Sequence, residues 1–395
     1  MKILGIETSC DETAVCIIET NESKDGPVLT VLGNQLYSQI AKHQEFGGVF
    51  PMLAKREHAK NLVPLFEKCL KEADLFKLKP SPKTLTKKLE KNIEKILERE
   101  GELLIELKKL FKTIEKPNID AIAVTNGPGL EPALWVGVTF AKALGEAWNI
   151  SIIPTNHMEG HIVVSSLLKR TNIKEKTNYQ ISETKYPALA LLISGGHTQL
   201  VLIKNNLKYK IIGGTVDDAV GEAYDKVARM LGLPYPGGPQ ISQYADAWQK
   251  KNISIQTFKF PRPMLHSKNL NFSFSGLKTS VLYKLKELKE LTEEIKQEIA
   301  FEFQNAVIDV LIAKTKTAIM ENEVQTLIAG GGVIANKDIR IALEKLAEEM
   351  KINILIPEIS ASTDNALMIA VAGYMNIIAG KKSSTDFRAS GNLSL

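Results

Sequence analysis

His157 and His161 stand four apart in the run NHMEGHI (Asn156–Ile162). On a helix that spacing puts both imidazoles on one face, where they can chelate a single metal ion. The zinc-protease signature HExxH needs its glutamate directly after the first histidine. Here Met158 fills that place and Glu159 follows it. A helix turns Glu159 by ~200° from His157, away from any water it would have to activate. The protease reading is therefore weak. A further oxygen ligand is available in SASTDNA (Ser360–Ala366), where Asp364 and Asn365 are expected at a helix start. Asp364 either caps that helix or completes a two-histidine, one-carboxylate site, the donor set suited to Fe(II).

Three small-residue turns offer a second kind of chemistry. Ser194–Thr198 (SGGHT) places two glycines at a strand end, where backbone N–H groups can approach a phosphate or carbonyl oxygen closely. A lone Gly-Gly is usually a hairpin turn, but Thr8–Thr13 and Gly330–Gly331–Gly332 repeat the design, as the frame of a nucleotide cleft would. The chain has neither a GxxxxGK[ST] loop nor a GxGxxG fingerprint, so a P-loop NTPase or a Rossmann dehydrogenase is not indicated. In DDAVGEAYDK, Asp218, Glu222 and Asp225 fall on one helical face, either solvated or bonded to ribose hydroxyls. His43 and His58 lie in polar helical surroundings and His266 in a loop; they read as structural residues or weak RNA contacts.

Elements must hold these groups in place. Lys2–Glu7 and Ala14–Glu19 read as two strands joined at a polar tip, and ALALLI and QLVLI repeat that hairpin around Ser194–Thr198, an internal duplication. Alternating strands and helices elsewhere mean an α/β fold with buried sheets. Residues 77–116 stand apart. Leu89, Ile96, Leu103 and Leu110 recur every seven residues, as do Ile93, Leu107 and Ile114, with Glu100 interrupting. That is an amphipathic helix, or a pair broken at Gly101, entered through Pro80 and Pro82. Its seam must pack on the body of the protein, on a partner, or on its own other half.

Hydrophobic residues make up 44% of the 395-residue chain and charged ones 24%, which excludes a disordered or fibrous protein. No apolar run is long enough to span a membrane. The start MKILGIETSC lacks a secretory leader's apolar segment, and three unpatterned cysteines imply no disulfide framework, so a reduced cytoplasmic setting is expected. Residues 77–116 carry 12 Lys or Arg against 7 Asp or Glu, which accounts for the whole net charge of +5. Overall basicity is thus poor evidence for a polyanion partner.

IETSCDETA, NHMEGH, SGGHTQL, DDAVGEAYDKVARMLGLPYPGGP, NFSFSGLKTS, GGGVIANKDIR and STDNALMIA, taken in order, resemble the tRNA threonylcarbamoyladenosine transferase family (TsaD in bacteria). The resemblance implies the actin-like ATPase (ASKHA) fold, with two duplicated lobes around a nucleotide cleft: residues 1–155, carrying the 77–116 insertion, and residues 156–395, with a helical subdomain at about 215–300. It implies transfer of threonylcarbamoyl from threonylcarbamoyl-AMP to the exocyclic amine of the adenosine 3′ of the anticodon, in tRNAs reading codons that begin with A. It implies one divalent metal, Fe(II), on His157, His161 and Asp364, and donor contacts at Leu192, Ile193, Ser194, Gly195, Gly196, Asp225, Gly238 and Asn336. Partners expected by resemblance are tRNA, a degenerate paralogue subunit and a small ATPase of the same pathway.

The adenine amine sheds a proton during attack, and Asp11 and Glu12 at the first hairpin tip are the carboxylates placed to help. The chain departs from the family pattern at Ser362 (usually Cys), Ser242 (often Asp) and Met52 (commonly Glu), and residues 77–116 are expected to lack a counterpart. An actin-fold kinase would leave NHMEGH without purpose, and scaffold paralogues of the family lose the two histidines that this chain keeps.

Overall fold

The computed structural model describes all residues except 24–25, 82–84, 174–175, 206 and 252–256. Pro82, one of the two prolines expected to open the basic segment, lies outside the described residues. Met1–Ala41, Val49–Glu183 and Asp364–Leu395 form one compact unit; Lys42–Gly48 and Thr184–Thr363 form a second.

In the first unit, β1 (Lys2–Glu7), β2 (Glu12–Asn21), β3 (Val28–Ser38), β4 (Ala121–Gly127), β5 (Ser151–Asn156), β6 (Leu167–Ile173) and β7 (Lys176–Ile181) pair in the order β5-β4-β1-β2-β3-β7-β6. β1, β2 and β3 run antiparallel in turn, while β4 and β5 lie parallel to β1. β1 is apolar without alternation because both faces of the sheet are covered. Leu4 and Ile6 face a core shared with helices Pro51–Glu72 and Glu131–Trp148. Gly5 faces the other way, under helix Ala366–Ile378, where a Cβ would come 2.3 Å from the Ala366 carbonyl oxygen.

In the second unit, β8 (Ala188–Ile193), β9 (Thr198–Ile203), β10 (Tyr209–Gly214), β11 (Thr326–Gly330) and β12 (Asn353–Leu355) pair in the order β10-β9-β8-β11-β12. Strand for strand this repeats β3-β2-β1-β4-β5, with the same parallel and antiparallel pairings. The duplicated hairpin read from sequence is thus part of a duplicated sheet. Helices Val220–Met230, Gly237–Gln249, Ser275–Glu287 and Glu293–Glu321 lie between β10 and β11.

Besides the short segment Lys42–Gly48, the chain changes unit after Glu183 and again after Thr363, whereas the sequence pointed to one boundary at 155/156. β7 pairs onto β3, and helix Ala366–Ile378 packs back on β1, so both segments belong with the first sheet. Such long-range returns leave no local trace in the sequence.

The basic segment forms two helices, Lys87–Ile96 and Gly101–Thr113. Its seam packs on the body: Ile93, Leu97, Leu103 and Leu107 are fully buried in one core with Leu62, Phe66 and Leu144. Phe111 meets the Trp148 ring edge-on at 5.2 Å. Glu100, which breaks the heptad row, is itself buried and bonded to Lys55 Nζ at 2.8 Å. Leu107→Ala should lower stability by about 2 to 5 kcal/mol, because it opens a cavity in this core. Lys109→Ala, at an exposed position two residues on, should change stability by no more than about 0.5 kcal/mol. Chemical denaturation checks both, and equal midpoints for the two variants would mean the segment is a detached spacer.

Candidate metal centre

Asn156 ends β5 and caps helix His157–Val164: its Oδ1 accepts from Met158 N (2.8 Å) and Glu159 N (3.3 Å). That cap fixes the helix register, so His157 and His161 project to the same side, their ring centroids 4.8 Å apart. Asp364 arrives from far along the chain. His157 Nε2 lies 3.3 Å and His161 Nε2 3.1 Å from the same oxygen, Asp364 Oδ1. One ligand atom from each residue falls within 4.8 Å of the others. Asn365, not Asp364, caps helix Ala366–Ile378, accepting from Met368 N at 2.9 Å. Capping therefore does not account for Asp364.

A residue the sequence reading passed over stands behind this group. Glu7, at the end of β1, is fully buried. Its carboxylate accepts from Ser9 N (2.5 Å) and Thr125 Oγ1 (2.6 Å), and lies 3.1 Å from His157 Nδ1. A carboxylate only accepts, and His157 faces one on each side, so Nδ1 donates to Glu7 while a proton on Nε2 is directed at Asp364. This is the carboxylate–histidine pairing that orients metal-bound imidazoles. His161 Nδ1 is buried with no partner among the described residues, so Glu7 serves His157 alone.

Burial works against a charged His157, yet Asp364 and Glu7 outweigh it and hold its pKa well above the usual histidine range. Burial likewise opposes ionisation of Asp364 and Glu7, and the His157 charge turns both downward. A buried carboxylate, Glu7, and a partly exposed one, Asp364, around two imidazoles are short of positive charge. A divalent cation on His157, His161 and Asp364 would supply it, and the nitrogen–oxygen donor set fits one. Glu159 points elsewhere, accepting from Asn376 Nδ2 at 3.0 Å, in line with the argument against a protease.

The hairpin tip Thr8–Thr13 belongs to the same unit. Asp11 is buried, and Glu12 opens β2. Burial first, then the Asp11 and Asp364 carboxylates, push the Glu12 pKa up to about 10. His58 is fully buried and holds the tip: its Nε2 lies 3.0 Å from the Cys10 carbonyl and its Nδ1 2.7 Å from Thr13 Oγ1. It is structural and cannot reach RNA.

In the second unit, Leu192 and Ile193 end β8, and Ser194, Gly195 and Gly196 form its tip. Gly221 N, in the first turn of helix Val220–Met230, donates to Ser194 O (3.2 Å). Gly331, at φ +96°, passes so close that a Cβ would lie 2.3 Å from Ile193 O. By contrast, a Cβ on Gly195, Gly196, Gly238 or Gly332 would meet nothing within 4 Å. These glycines border open space.

Asp225 Oδ1 accepts from Gly237 N (2.7 Å), fixing the corner before Gly238. Asn336 differs from expectation. Its Oδ1 accepts from Asp338 N and Ile339 N, and its Nδ2 donates to Ser242 Oγ (3.1 Å) and Gln304 Oε1 (2.7 Å). Both lone pairs and both hydrogens are taken, so Asn336 can support a ligand contact only indirectly. The expected acidic face also dissolves: Asp218 precedes the helix and pairs with Lys226 and Lys278, and Glu222 pairs with Lys226. Ser362 Oγ donates to Glu358 O at 3.0 Å.

A duplicated five-strand sheet of this order, one copy bearing a two-histidine, one-carboxylate centre, defines an actin-like α/β protein with a metal-type site. Full-length HypF matches 97% of this chain over 47% of its own length, at TM-score 0.51 and 11% identity, a likeness of fold alone. HypF from T. kodakarensis matches 96% of this chain over 48% of its own, at TM-score 0.52 and 11% identity. The profile described as TsaD, tRNA N6-adenosine threonylcarbamoyltransferase, matches residues 30–79 and 100–371. Proteins of that name from Chromobacterium violaceum (40% identity, 95% of this chain, 93% of that protein) and Bacillus subtilis (38%, 100% and 96%) align along the chain. The chain belongs to the tRNA N6-adenosine threonylcarbamoyltransferase family. The stretch inside the matched span that the profile leaves out is 80–99, narrower than the 77–116 expected to lack a counterpart, and helix Gly101–Thr113 lies within the match.

Glu7→Gln should weaken metal binding roughly 10- to 100-fold, the usual effect of losing an outer-shell partner, and Asp364→Asn should weaken it further. Affinity for the intact ligand set should rise with pH through neutrality, because the metal must displace a proton held above the ordinary histidine pKa. Chelator competition read by elemental mass spectrometry checks all three. Wild-type affinity in both variants would remove the centre from this place.

Proposed function

We propose that the protein transfers threonylcarbamoyl from threonylcarbamoyl-AMP to the exocyclic amine of the adenosine 3′ of the anticodon, in tRNAs reading codons that begin with A. The observation that carries this is the convergence of His157, His161 and Asp364, with Glu7 behind them, in a chain of this family. A kinase has no use for that group, and a scaffold paralogue would not keep it. His157, His161 and Asp364 hold one divalent metal, by donor chemistry Fe(II); when bound, it supplies Lewis-acid polarisation of the carbamoyl carbonyl or holds the donor's threonine end.

This chain's residues do the rest. The open glycines of the Ser194–Gly196 tip, Gly238 and the corner fixed by Asp225 receive the adenylate. The adenine amine attacks the carbamoyl carbon, the C–O bond to the phosphate breaks, and AMP leaves with the electron pair. Glu12 holds its proton at neutral pH while Asp11 beside it is left to accept the one shed by the amine. His58 holds the tip that carries both acids. The target base leaves its stack to reach these groups. We place the reaction in the cytoplasm, assisted by a degenerate paralogue and a small ATPase. Among the described residues no helix is long and apolar enough to cross a membrane.

Asp11→Asn should lower kcat by about 10²- to 10⁴-fold and leave donor affinity unchanged, the signature of a lost general base. Asp225→Ala should do the reverse, weakening threonylcarbamoyl-AMP binding by about 1 to 3 kcal/mol. Single-turnover transfer to tRNA and calorimetric titration of a non-hydrolysable donor separate the two. Full transfer by Asp11→Asn would move the base elsewhere.

A further inference from the structure

Helix Lys87–Ile96 lies in the stretch that the family profile leaves unmatched, yet it is built into the first core through Ile93. Its charges are sorted by side. Lys87, Lys91, Lys95 and Lys88 fall within about 100° of arc, at 0°, 40°, 80° and 100° round the helix, and all four are exposed. The acids lie on the neighbouring side and are neutralised from within: Lys108 Nζ reaches Glu90 Oε1 (3.0 Å) and Glu94 Oε1 (2.5 Å). Asn92, on the far side, donates to Glu146 Oε1 (2.7 Å). No carboxylate among the described residues pairs with any of the four stripe lysines. A run of like charges would ordinarily be interleaved with counter-charges to limit repulsion; here the counter-charges are drawn off to one side.

The stripe also has a place relative to the hairpin tip. Helix Glu131–Trp148 begins at that tip, where Thr8 Oγ1 donates to Ala133 O (3.1 Å) and Leu130 N to Ser9 O (2.7 Å). Asn92 holds the stripe helix to Glu146, thirteen residues further along, a rise of about 20 Å. A mononucleotide bound at the tip cannot touch the stripe. A long polyanion can touch both.

We propose that the Lys87, Lys88, Lys91 and Lys95 face is an accessory docking surface for the sugar–phosphate backbone of the RNA substrate, about 20 Å from the reacting base. The proposal rests on the transferase reading above. The test replaces all four with Gln, a residue of similar helix propensity, in the full chain. A control variant carries Lys204→Gln, Lys250→Gln, Lys289→Gln and Lys382→Gln, exposed elsewhere on the surface, for the same change in net charge. Substrate tRNA binding is measured across a salt series, with donor binding and circular dichroism alongside.

The stripe variant should bind tRNA about tenfold more weakly, with a salt slope shallower by about 2 to 3. Its donor affinity and helicity should equal wild type, and the control should lose much less. Equal tRNA affinity and slope in the stripe variant overturn the proposal, as does an equal loss in the control. Loss of binding to anionic vesicles with tRNA binding kept overturns it in favour of a membrane. Stripe-dependent tRNA binding by a wild type that transfers no threonylcarbamoyl would leave the surface standing and remove the transferase reading.

Discussion

The pairing of Glu7 with His157 is the interaction on which the first unit's site depends. A fully buried carboxylate is costly unless every lone pair is met and a positive charge lies close. Ser9 N and Thr125 Oγ1 satisfy part of Glu7, and His157 Nδ1 supplies the rest. Each of these partners comes from a different segment: the hairpin tip, β4, and the helix after β5. Strand order, tip conformation and helix register must therefore all be right at once. Asp364 adds a condition, because the return helix Ala366–Ile378 reaches its place only where Gly5 leaves room beneath Ala366, and where Gly373 leaves room beside Ala123. The two glycines are needed for close approach, not for unusual dihedrals.

The duplicated hairpins show how one frame yields two chemistries. β1 and β2 close at Glu7↔Ala14, leaving the six-residue tip 8–13; β8 and β9 close at Ile193↔Thr198, leaving four. A four-residue tip can satisfy itself, and it does: Ser194 N donates to His197 O at 2.8 Å and His197 N to Ser194 Oγ at 3.1 Å. The longer tip cannot, so His58 reaches in from helix Pro51–Glu72 to bond Thr13 and Cys10. The self-closed tip keeps open glycines, suited to an oxygen-rich ligand. The braced tip carries two acids side by side, and their mutual repulsion is relieved by the proton that Glu12 keeps.

What could be read in the sequence followed local spacing. The i, i+4 histidines, the hairpin pair and the apolar seam all carry their own period, and each appears as a matching element. Glu7 was missed because a glutamate closing a short strand looks like any edge residue until β4 and the His157 helix are placed around it. Asn336 was misjudged for the same reason. Its cap was foreseeable from the following helix, but Ser242 and Gln304, which take its remaining hydrogens, lie 94 and 32 residues away. The supposed acidic face failed differently: helix Val220–Met230 starts after Asp218, so periodicity was extended into residues that are not helical.

The basic segment joins local and long-range constraints. A ten-residue helix such as Lys87–Ile96 is marginal alone in water, and four clustered lysines make it worse. Three features offset this: Thr86 caps it, accepting from Leu89 N at 3.3 Å; Ile93 enters the core; and Lys108 of the neighbouring helix draws Glu90 and Glu94 aside. The third feature is telling. Pairing those acids with the lysines would have stabilised the helix more simply, through the i, i+3 pairs Lys87–Glu90 and Lys91–Glu94. Moving them to Lys108 gives up that local gain and keeps an uncompensated cationic face on a rigid support. Stability alone would not arrange the charges this way, whereas a surface that must meet a polyanion would.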